Sequence, residues 1–169
     1  QFMFSNQFGT ARQLTGVLLP PVYIYAAETA IQMTLTELNE HLREIYIEAY
    51  TQAEASDYIF HETAKELYQI FGSYQPELTE DDFYALEIGS AGIMRAYMAH
   101  PCDASMTLAK KLRCFLTMSL RAYKVPEEDI RQVLAFVKSL DIRAVSQRVM
   151  EDLFHALAMR YEFTLPEKT

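Results

Sequence analysis

The sequence predicts an all-α fold, an antiparallel multi-helix bundle of about seven helices formed by a single domain of 169 residues. Three observations support this prediction. Apolar residues recur at the three- and four-residue spacing of a helix along nearly the whole chain. Strict alternation of apolar and polar residues is absent, as are the Asn-Gly and Asp-Gly pairs of β-hairpins. Prolines and capping residues divide the chain into segments of helical length.

Local signals set the helix limits in the first half of the chain. Pro20 ends the first helix, and Pro21 suits the first turn of the second. Ser56 or Asp57 can cap the fourth, and Gly72 is placed to end it in the left-handed conformation. The predicted helices of this half span residues 2–19, 22–35, 38–50 and 56–71.

Similar signals divide the second half. Thr79 and the acids that follow it predict the start of a helix, since both favour the positive end of the helix dipole. Asp141 can cap the last helix. The predicted helices span 79–100, a segment from Asp103 or Ser105 to 124, a segment that begins at 126, and 141–161.

The helix over 79–100 is unusually apolar. Between Phe83 and Ala99 its only charged residues are Glu87 and Arg95, so we expect it to be covered on several sides. Two glycines in its middle, in the run GSAG at 89–92, each cost about 1 kcal/mol of helix propensity. A close neighbouring helix, a kink or space for a bound molecule would each compensate for them.

Composition excludes several classes of function. A formal net charge of −8 and a pI near 5.0 are not typical of a nucleic-acid-binding surface. Cys102 and Cys114 do not have the spacing of metal-binding cysteines, which predicts that they are reduced thiols in a cytoplasmic protein. The longest apolar stretch, 13–27, contains two prolines and is shorter than the roughly 20 residues of a spanning helix, so we expect no membrane segment.

The residues give no sign of metal binding or catalysis. Glu37 with His41, and Glu151 with His155, share a helix face, but a structural zinc site needs about four ligands. We therefore expect these to be solvated or capping pairs. The nucleophile signature Gly-x-Ser-x-Gly and the glycine-rich phosphate loops are also absent. The sequence predicts no cofactor and no enzyme activity.

Aromatic and methionine residues are the most informative feature, with 11 Tyr and 8 Met in the chain. A buried tyrosine usually needs a partner for its hydroxyl, and methionine adapts its shape to permissive binding surfaces. These residues either fill a helical core or line a cavity for a flat or elongated apolar molecule. The candidate pocket residues are Tyr23, Met33, Tyr46, Tyr50, Tyr58, His61, Glu87, Met94, Arg95, Tyr97 and Met98.

The two charged residues in this set need partners if they lie in a cavity, because an unpaired buried charge is costly. Glu87 and Arg95 lie on the otherwise apolar helix over 79–100. These two residues either face the bound molecule, or form an ion pair with each other, or reach the rim of the cavity.

Several stretches together resemble a known family. They are 42–51 (LREIYIEAYT) with 57–59 (DYI), and 87–98 (EIGSAGIMRAYM) with the amphipathic helix that follows. This arrangement resembles the C-terminal regulatory domain of TetR-type transcriptional regulators, over nearly the whole chain as an order of helices. The resemblance implies a homodimeric domain of a repressor whose helices enclose a pocket for a small apolar or aromatic effector.

The resemblance also implies how such a domain would contact DNA and its partner. The family reads DNA through an N-terminal helix-turn-helix domain, which is missing here, so we expect the chain to be part of a longer protein and 1–19 to be its linker helix. Two late helices form the dimer interface in the family, and by order these are 79–100 and 105–124, or alternatively 141–161. The candidate interface residues are Leu108, Leu112, Phe115, Leu116, Ser119 and Tyr123. The alternative function is a helical protein–protein interaction module without a small-molecule ligand.

Overall fold

The computed structural model describes residues 19–162, with side chains to 156, and the regular structure within this range is entirely helical. The predicted all-α multi-helix bundle is confirmed. A short 3-10 helix, Gly72–Tyr74, follows the third α-helix. The predicted helix over 2–19 lies, apart from Leu19, outside the described residues. The seven α-helices described are α1 (Pro21–Leu38), α2 (Glu40–Ala49), α3 (Ala53–Phe71), α4 (Glu80–Ala99), α5 (Leu108–Ala122), α6 (Glu127–Ser139) and α7 (Ile142–Glu162).

Helix α1 lies at the centre of the bundle and contacts each of the other six described helices. Every residue from Ile24 to Thr36 is buried. Ala26, Ala27 and Ala30 let neighbouring helices approach from several directions, since they are small and at most 3% exposed. The helix that is buried on all sides is therefore α1, and not the predicted helix over 79–100.

The structure corrects the prediction that the segment 83–99 is covered on several sides. Only one stripe of α4 is buried, formed by Phe83, Glu87, Ala91, Met94 and Met98. The opposite face is open within the described chain, because a Cβ atom added at Gly89 or Gly92 would meet no atom within 4 Å. Glycine and alanine on this face make the helix look apolar although they have little surface to bury.

Several predicted caps are confirmed. Thr79 caps α4 in a reciprocal box, in which its N–H donates to Asp82 Oδ2 at 2.8 Å and its hydroxyl accepts from the Asp82 N–H at 3.4 Å. Asp141 Oδ1 accepts the Ala144 N–H at 3.2 Å at the start of α7. Pro21 occupies the first turn of α1, as predicted.

Other boundaries differ from the predictions. Helix α3 begins at Ala53, before Ser56 and Asp57, and Gly72 has a right-handed φ of −58° because the chain continues into a 3-10 turn. Helix α5 begins after Thr107, which caps it. Asp103 instead folds the preceding loop, where its Oδ1 accepts the Ser105 and Met106 N–H groups at 2.7 Å.

A stack of aromatic rings joins α1, α3, α4 and the end of α5. Phe71 and Tyr123 stack with centroids 4.3 Å apart, and Phe83 lies parallel to Tyr123 at 6.1 Å. Tyr25 of α1 meets Phe71 and Tyr123 edge-on. Such ring pairs add stability beyond the area they bury, so this stack fixes the helices that surround the candidate site. None of the described helices has the length and apolarity to cross a bilayer.

Candidate functional site

A small cavity lies where α1, α3, α4 and α5 meet the C-terminal end of α2. Its volume is about 30 Å³, the space of roughly one water molecule. Carboxyl, hydroxyl and amide groups make up much of its wall. The lining residues are Tyr25, Glu28, Thr29, Gln32, Tyr50, Thr63, Glu87, Ser90, Ala91, Met94 and Phe115.

Two helices supply most of this wall through the same helical spacing. Helix α1 presents four residues at positions i, i+3, i+4 and i+7, beginning at Tyr25, and α4 does the same beginning at Glu87. Residues at this spacing lie on one face of a helix. The cavity is therefore the space between a polar stripe of α1 and a stripe of α4 in which Glu87 and Ser90 are the polar members.

Glu87 is the most unusual group of the site. Its side chain is buried, with 6% of the residue exposed, and within the part of the chain that the structure describes it forms no hydrogen bond or ion pair. Burial raises the pKa of Glu87 to about 8. At neutral pH the carboxyl group is therefore mostly protonated, and it can donate a hydrogen bond as well as accept one.

Tyrosine and serine hydroxyls surround this carboxyl. The Tyr25 hydroxyl lies 2.5 Å from Ser119 Oγ, and Ser90 Oγ lies 3.5 Å from the same atom. Burial, together with the nearby Glu87 carboxyl, raises the pKa of Tyr25 to about 12, and the same two causes raise the pKa of Tyr50 well above its usual value. All these hydroxyls stay neutral at physiological pH.

The chemistry of the site suits binding better than catalysis. It offers hydroxyl and amide groups that donate and accept hydrogen bonds, two buried carboxyl groups (Glu28 and Glu87), and an apolar part of the wall formed by Ala91, Met94 and Phe115. Among residues 19–162, no group of three or more His, Cys, Asp and Glu side chains could hold a metal ion.

No family model, curated protein or solved structure matches this chain. The site is therefore interpreted from its own residues.

The structure brings some of the predicted pocket residues together. Tyr50, Glu87 and Met94 line the cavity. Three further predicted residues lie in the main core cluster without lining the cavity, and each is at most 3% exposed; they are Met33, Tyr46 and Met98. These three residues therefore fill the helical core.

Three predicted pocket residues lie on the solvent side of their helices and do not line this cavity. Tyr58 is 46% exposed. His61 is exposed and its ring packs edge-on against Tyr84 at 4.3 Å. The Arg95 guanidinium reaches Thr51 Oγ1 at 3.5 Å on the surface, so it does not pair with the cavity carboxyl.

Two more do not line the cavity and pack at contacts between helices. Tyr23 packs on Phe136 of α6 with ring centroids 5.1 Å apart. Tyr97 meets Phe115 edge-on at 6.4 Å at the contact between α4 and α5. Both rings are half-buried. The aromatic composition therefore indicated that these rings pack between helices, but it did not indicate which of them line the cavity.

Sequence reasoning missed eight lining residues. They are Tyr25, Glu28, Thr29, Gln32, Thr63, Ser90, Ala91 and Phe115. A signal for four of them was present, because polar groups at helical spacing interrupt the apolar segment 22–35. Polar residues repeated on one face of a helix that is otherwise apolar indicate a buried polar site.

The predicted dimer-interface residues lie mostly inside the core of their own chain. Five of the six are at most 5% exposed and form the inner face of α5 in the core of their own chain; they are Leu112, Phe115, Leu116, Ser119 and Tyr123. Leu108, the sixth, is half-buried at the start of the helix. The apolar stripe of an amphipathic helix packs on its own core before any partner can reach it.

Proposed function

We propose that this chain is the ligand-sensing and dimerisation domain of a TetR-like transcriptional regulator, acting as a repressor with a separate N-terminal DNA-binding domain. The observation that supports this most is the position of Glu87. A buried carboxyl that has no hydrogen bond or ion pair to any described residue faces a cavity among five helices, where the sequence resemblance implies an effector site. Retaining such a group costs stability, which is typical of a functional site.

The effector on this proposal is a small apolar or aromatic molecule that carries a polar group. The cavity of about 30 Å³ accepts only that polar group, so the remainder of the effector needs the surrounding helices to separate. An effector that binds the expanded arrangement better shifts the protein towards it by its difference in affinity. The shift would move the two DNA-binding domains of a dimer out of register with successive major grooves.

Self-association on this proposal uses the outward faces of α4 and α5. Ile88 and Met118 are 46% and 48% exposed, and Gly89 and Gly92 leave open space beside them. An exposed apolar surface of this kind is typical of an interface, and glycines let a second helix approach closely. The alternative helix α7 is less suited, because its apolar stripe already packs on Ile31, in a cluster with α1 and α2.

A thermal-shift screen tests the effector site. A panel of small aromatic and aliphatic compounds with one polar group should contain members that raise Tm as their concentration increases. At a ligand concentration of one hundred times Kd, the free energy of unfolding should rise by about 2.7 kcal/mol. Ala91→Val, which narrows the cavity, should abolish the shift, whereas Ala85→Val on the exposed face of the same helix should preserve it. No shift across the panel, or equal shifts in both variants, would contradict the effector proposal.

Sedimentation tests the dimer. The wild-type chain should sediment at micromolar concentration as a species of twice its 19.5 kDa mass. Gly92→Arg should give a folded monomer, because no atom of the described residues lies within 4 Å of a Cβ added there. Gln69→Arg, which places the same charge on the exposed side of α3, should remain dimeric. A monomeric wild-type chain would contradict the proposed interface.

The second candidate function is a helical interaction module that binds a partner protein and no small molecule. The small cavity volume favours it, because an interior with space for about one water molecule is close to solid. The thermal-shift screen distinguishes the two candidates. An effector site gives a shift in Tm that Ala91→Val abolishes, whereas an interaction module gives no such shift.

A further inference from the structure

A second and much larger space lies outside the core. A groove of about 800 Å³ opens between the N-terminal part of α5, the C-terminal part of α6 and the start of α7. It shares no lining residue with the cavity around Glu87, and its volume lies in the usual range of small-molecule sites. Its floor is aliphatic and includes Leu108, Leu112, Leu116, Leu134, Val137 and Ile142.

Basic residues surround this aliphatic floor. Lys110 and Arg113 of α5, Lys138 of α6 and Arg143 of α7 all line the groove and are exposed. The one acidic residue in the lining is Asp141, whose carboxylate caps the start of α7. The groove therefore has a local positive charge in a chain of formal net charge −8.

These four cations differ from most of the other basic residues that the structure describes. Elsewhere in residues 19–156, six lysines and arginines pair with carboxylates: Arg43, Lys65, Lys111, Arg121, Lys124 and Arg131. None of those six lines the groove. Within the same range the groove cations form no ion pair, although the Lys110 ammonium donates to the Ser105 carbonyl at 2.9 Å. Their charge is free to pair with an incoming anion.

We propose that this groove binds an amphipathic anion, a long-chain carboxylate whose alkyl chain lies on the aliphatic floor and whose head group pairs with the surrounding basic side chains. Arginine presents a planar fork that matches a carboxylate, and lysine adds a mobile point charge. The stems of both residues can cover an alkyl chain while their charges stay at the rim. Each additional methylene buried on the floor should raise affinity by up to about fourfold.

Calorimetric titration of the full chain with saturated carboxylates below their micellar concentration tests this proposal. We expect dodecanoate to bind more tightly than decanoate, and at least about tenfold more tightly than the neutral dodecanol. The affinity for dodecanoate should fall as salt is added, whereas that for dodecanol should not. Equal affinity for the acid and the alcohol, or no binding of dodecanoate, would overturn the proposal.

Surface variants separate the groove from other sites. Arg113→Gln with Lys138→Gln should weaken dodecanoate binding at least about tenfold and leave dodecanol binding unchanged. The matched pair Arg121→Gln with Lys124→Gln, which removes two exposed cations outside the groove, should bind dodecanoate like wild type. Loss of binding in the matched pair, or in Ala91→Val at the internal cavity, would place the anion elsewhere and overturn the assignment.

Discussion

The Lys111 ammonium group donates a hydrogen bond to the Glu37 carboxylate inside the bundle, with the two side chains only 1% and 6% exposed. Lys111 also donates to the His100 carbonyl, and Glu37 accepts the Cys102 N–H at 2.9 Å. These bonds join the loop between α4 and α5 to the C-terminal end of α1. Burial acts to raise the pKa of Glu37, but the hydrogen bonds from Lys111 and Cys102 outweigh it and hold the pKa below its usual value.

Removing one partner of this pair should be strongly destabilising. Lys111→Met removes the cation that hydrogen-bonds to the buried Glu37 carboxylate and leaves only the Arg43 guanidinium, 3.8 Å from it, so we expect the free energy of unfolding to fall by about 3–5 kcal/mol. Lys65→Met, which breaks an exposed pair with Glu62, should cost less than about 1 kcal/mol. Chemical denaturation at pH 7 measures both. Equal losses in the two variants would show that the buried pair is no more important than a surface pair.

The raised pKa of Glu87 should make the protein less stable as pH rises. Below pH 4.5 the group is protonated in both states and has no effect. From pH 4.5 to about 8 the unfolded chain releases the proton while the folded chain keeps it, so the free energy of unfolding falls by up to about 1.4 kcal/mol per pH unit. Above about pH 8 both states are ionised and the loss is constant.

Glu87→Gln isolates this effect, because it removes the titration and keeps the shape. The variant should be more stable than wild type at pH 8, and the difference should vanish near pH 4.5. The titratable groups that face Glu87 are Glu28 and Tyr25 of α1, with Tyr50 and Tyr123 from the ends of α2 and α5. Denaturation over this pH range measures the difference, and the exposed Glu151→Gln is the control. A constant difference between Glu87→Gln and wild type would show that Glu87 titrates normally.

Two buried tyrosines should respond oppositely to loss of the hydroxyl. Tyr25 has a buried hydrogen bond to Ser119 at 2.5 Å, so Tyr25→Phe should cost about 1–1.5 kcal/mol. The Tyr123 hydroxyl is buried and, among the described residues, has no hydrogen-bond partner, so Tyr123→Phe should be neutral or stabilising. Thermal denaturation of the two variants gives the comparison. A larger loss for Tyr123→Phe than for Tyr25→Phe would contradict both assignments.

The sequence predicts helices well in this protein because their signals are local. Pro21, Thr79 and Asp141 act on the one turn that contains them, through a missing N–H or a capping oxygen. The boundaries that failed lack such a signal. Helix α3 begins at Ala53 without a side-chain cap, so nothing at that position marks its start.

Burial could not be predicted to the same extent, because it depends on which helices meet. Glu28 and Gln32 of α1 resemble surface residues, yet they are 4% and 8% exposed because six helices surround α1. The apolar stripe of α5 looks the same whether a helix packs on its own chain or on a partner. For the cavity, composition therefore identified Tyr50, Glu87 and Met94, but not the polar stripe of α1.

Lys124 offers a test of backbone strain at the end of α5. Its φ of 56° lies in the left-handed region, and the next residue closes the helix through a Val125 N–H bond to the Leu120 carbonyl at 3.0 Å. Glycine normally occupies such a position because a Cβ atom is disfavoured there. Lys124→Gly should raise the free energy of unfolding by about 0.5–1 kcal/mol, even though it removes the exposed ion pair with Glu77 at 2.7 Å.

Lys124→Ala is the matched variant, because it removes the same ion pair and keeps the Cβ atom. We expect it to be neutral or slightly destabilising, so that the difference between the glycine and alanine variants measures the strain alone. Denaturation at low and at high salt separates the two contributions, since salt weakens the ion pair and not the strain. Equal stability of the two variants would show that the left-handed conformation of Lys124 carries no cost here.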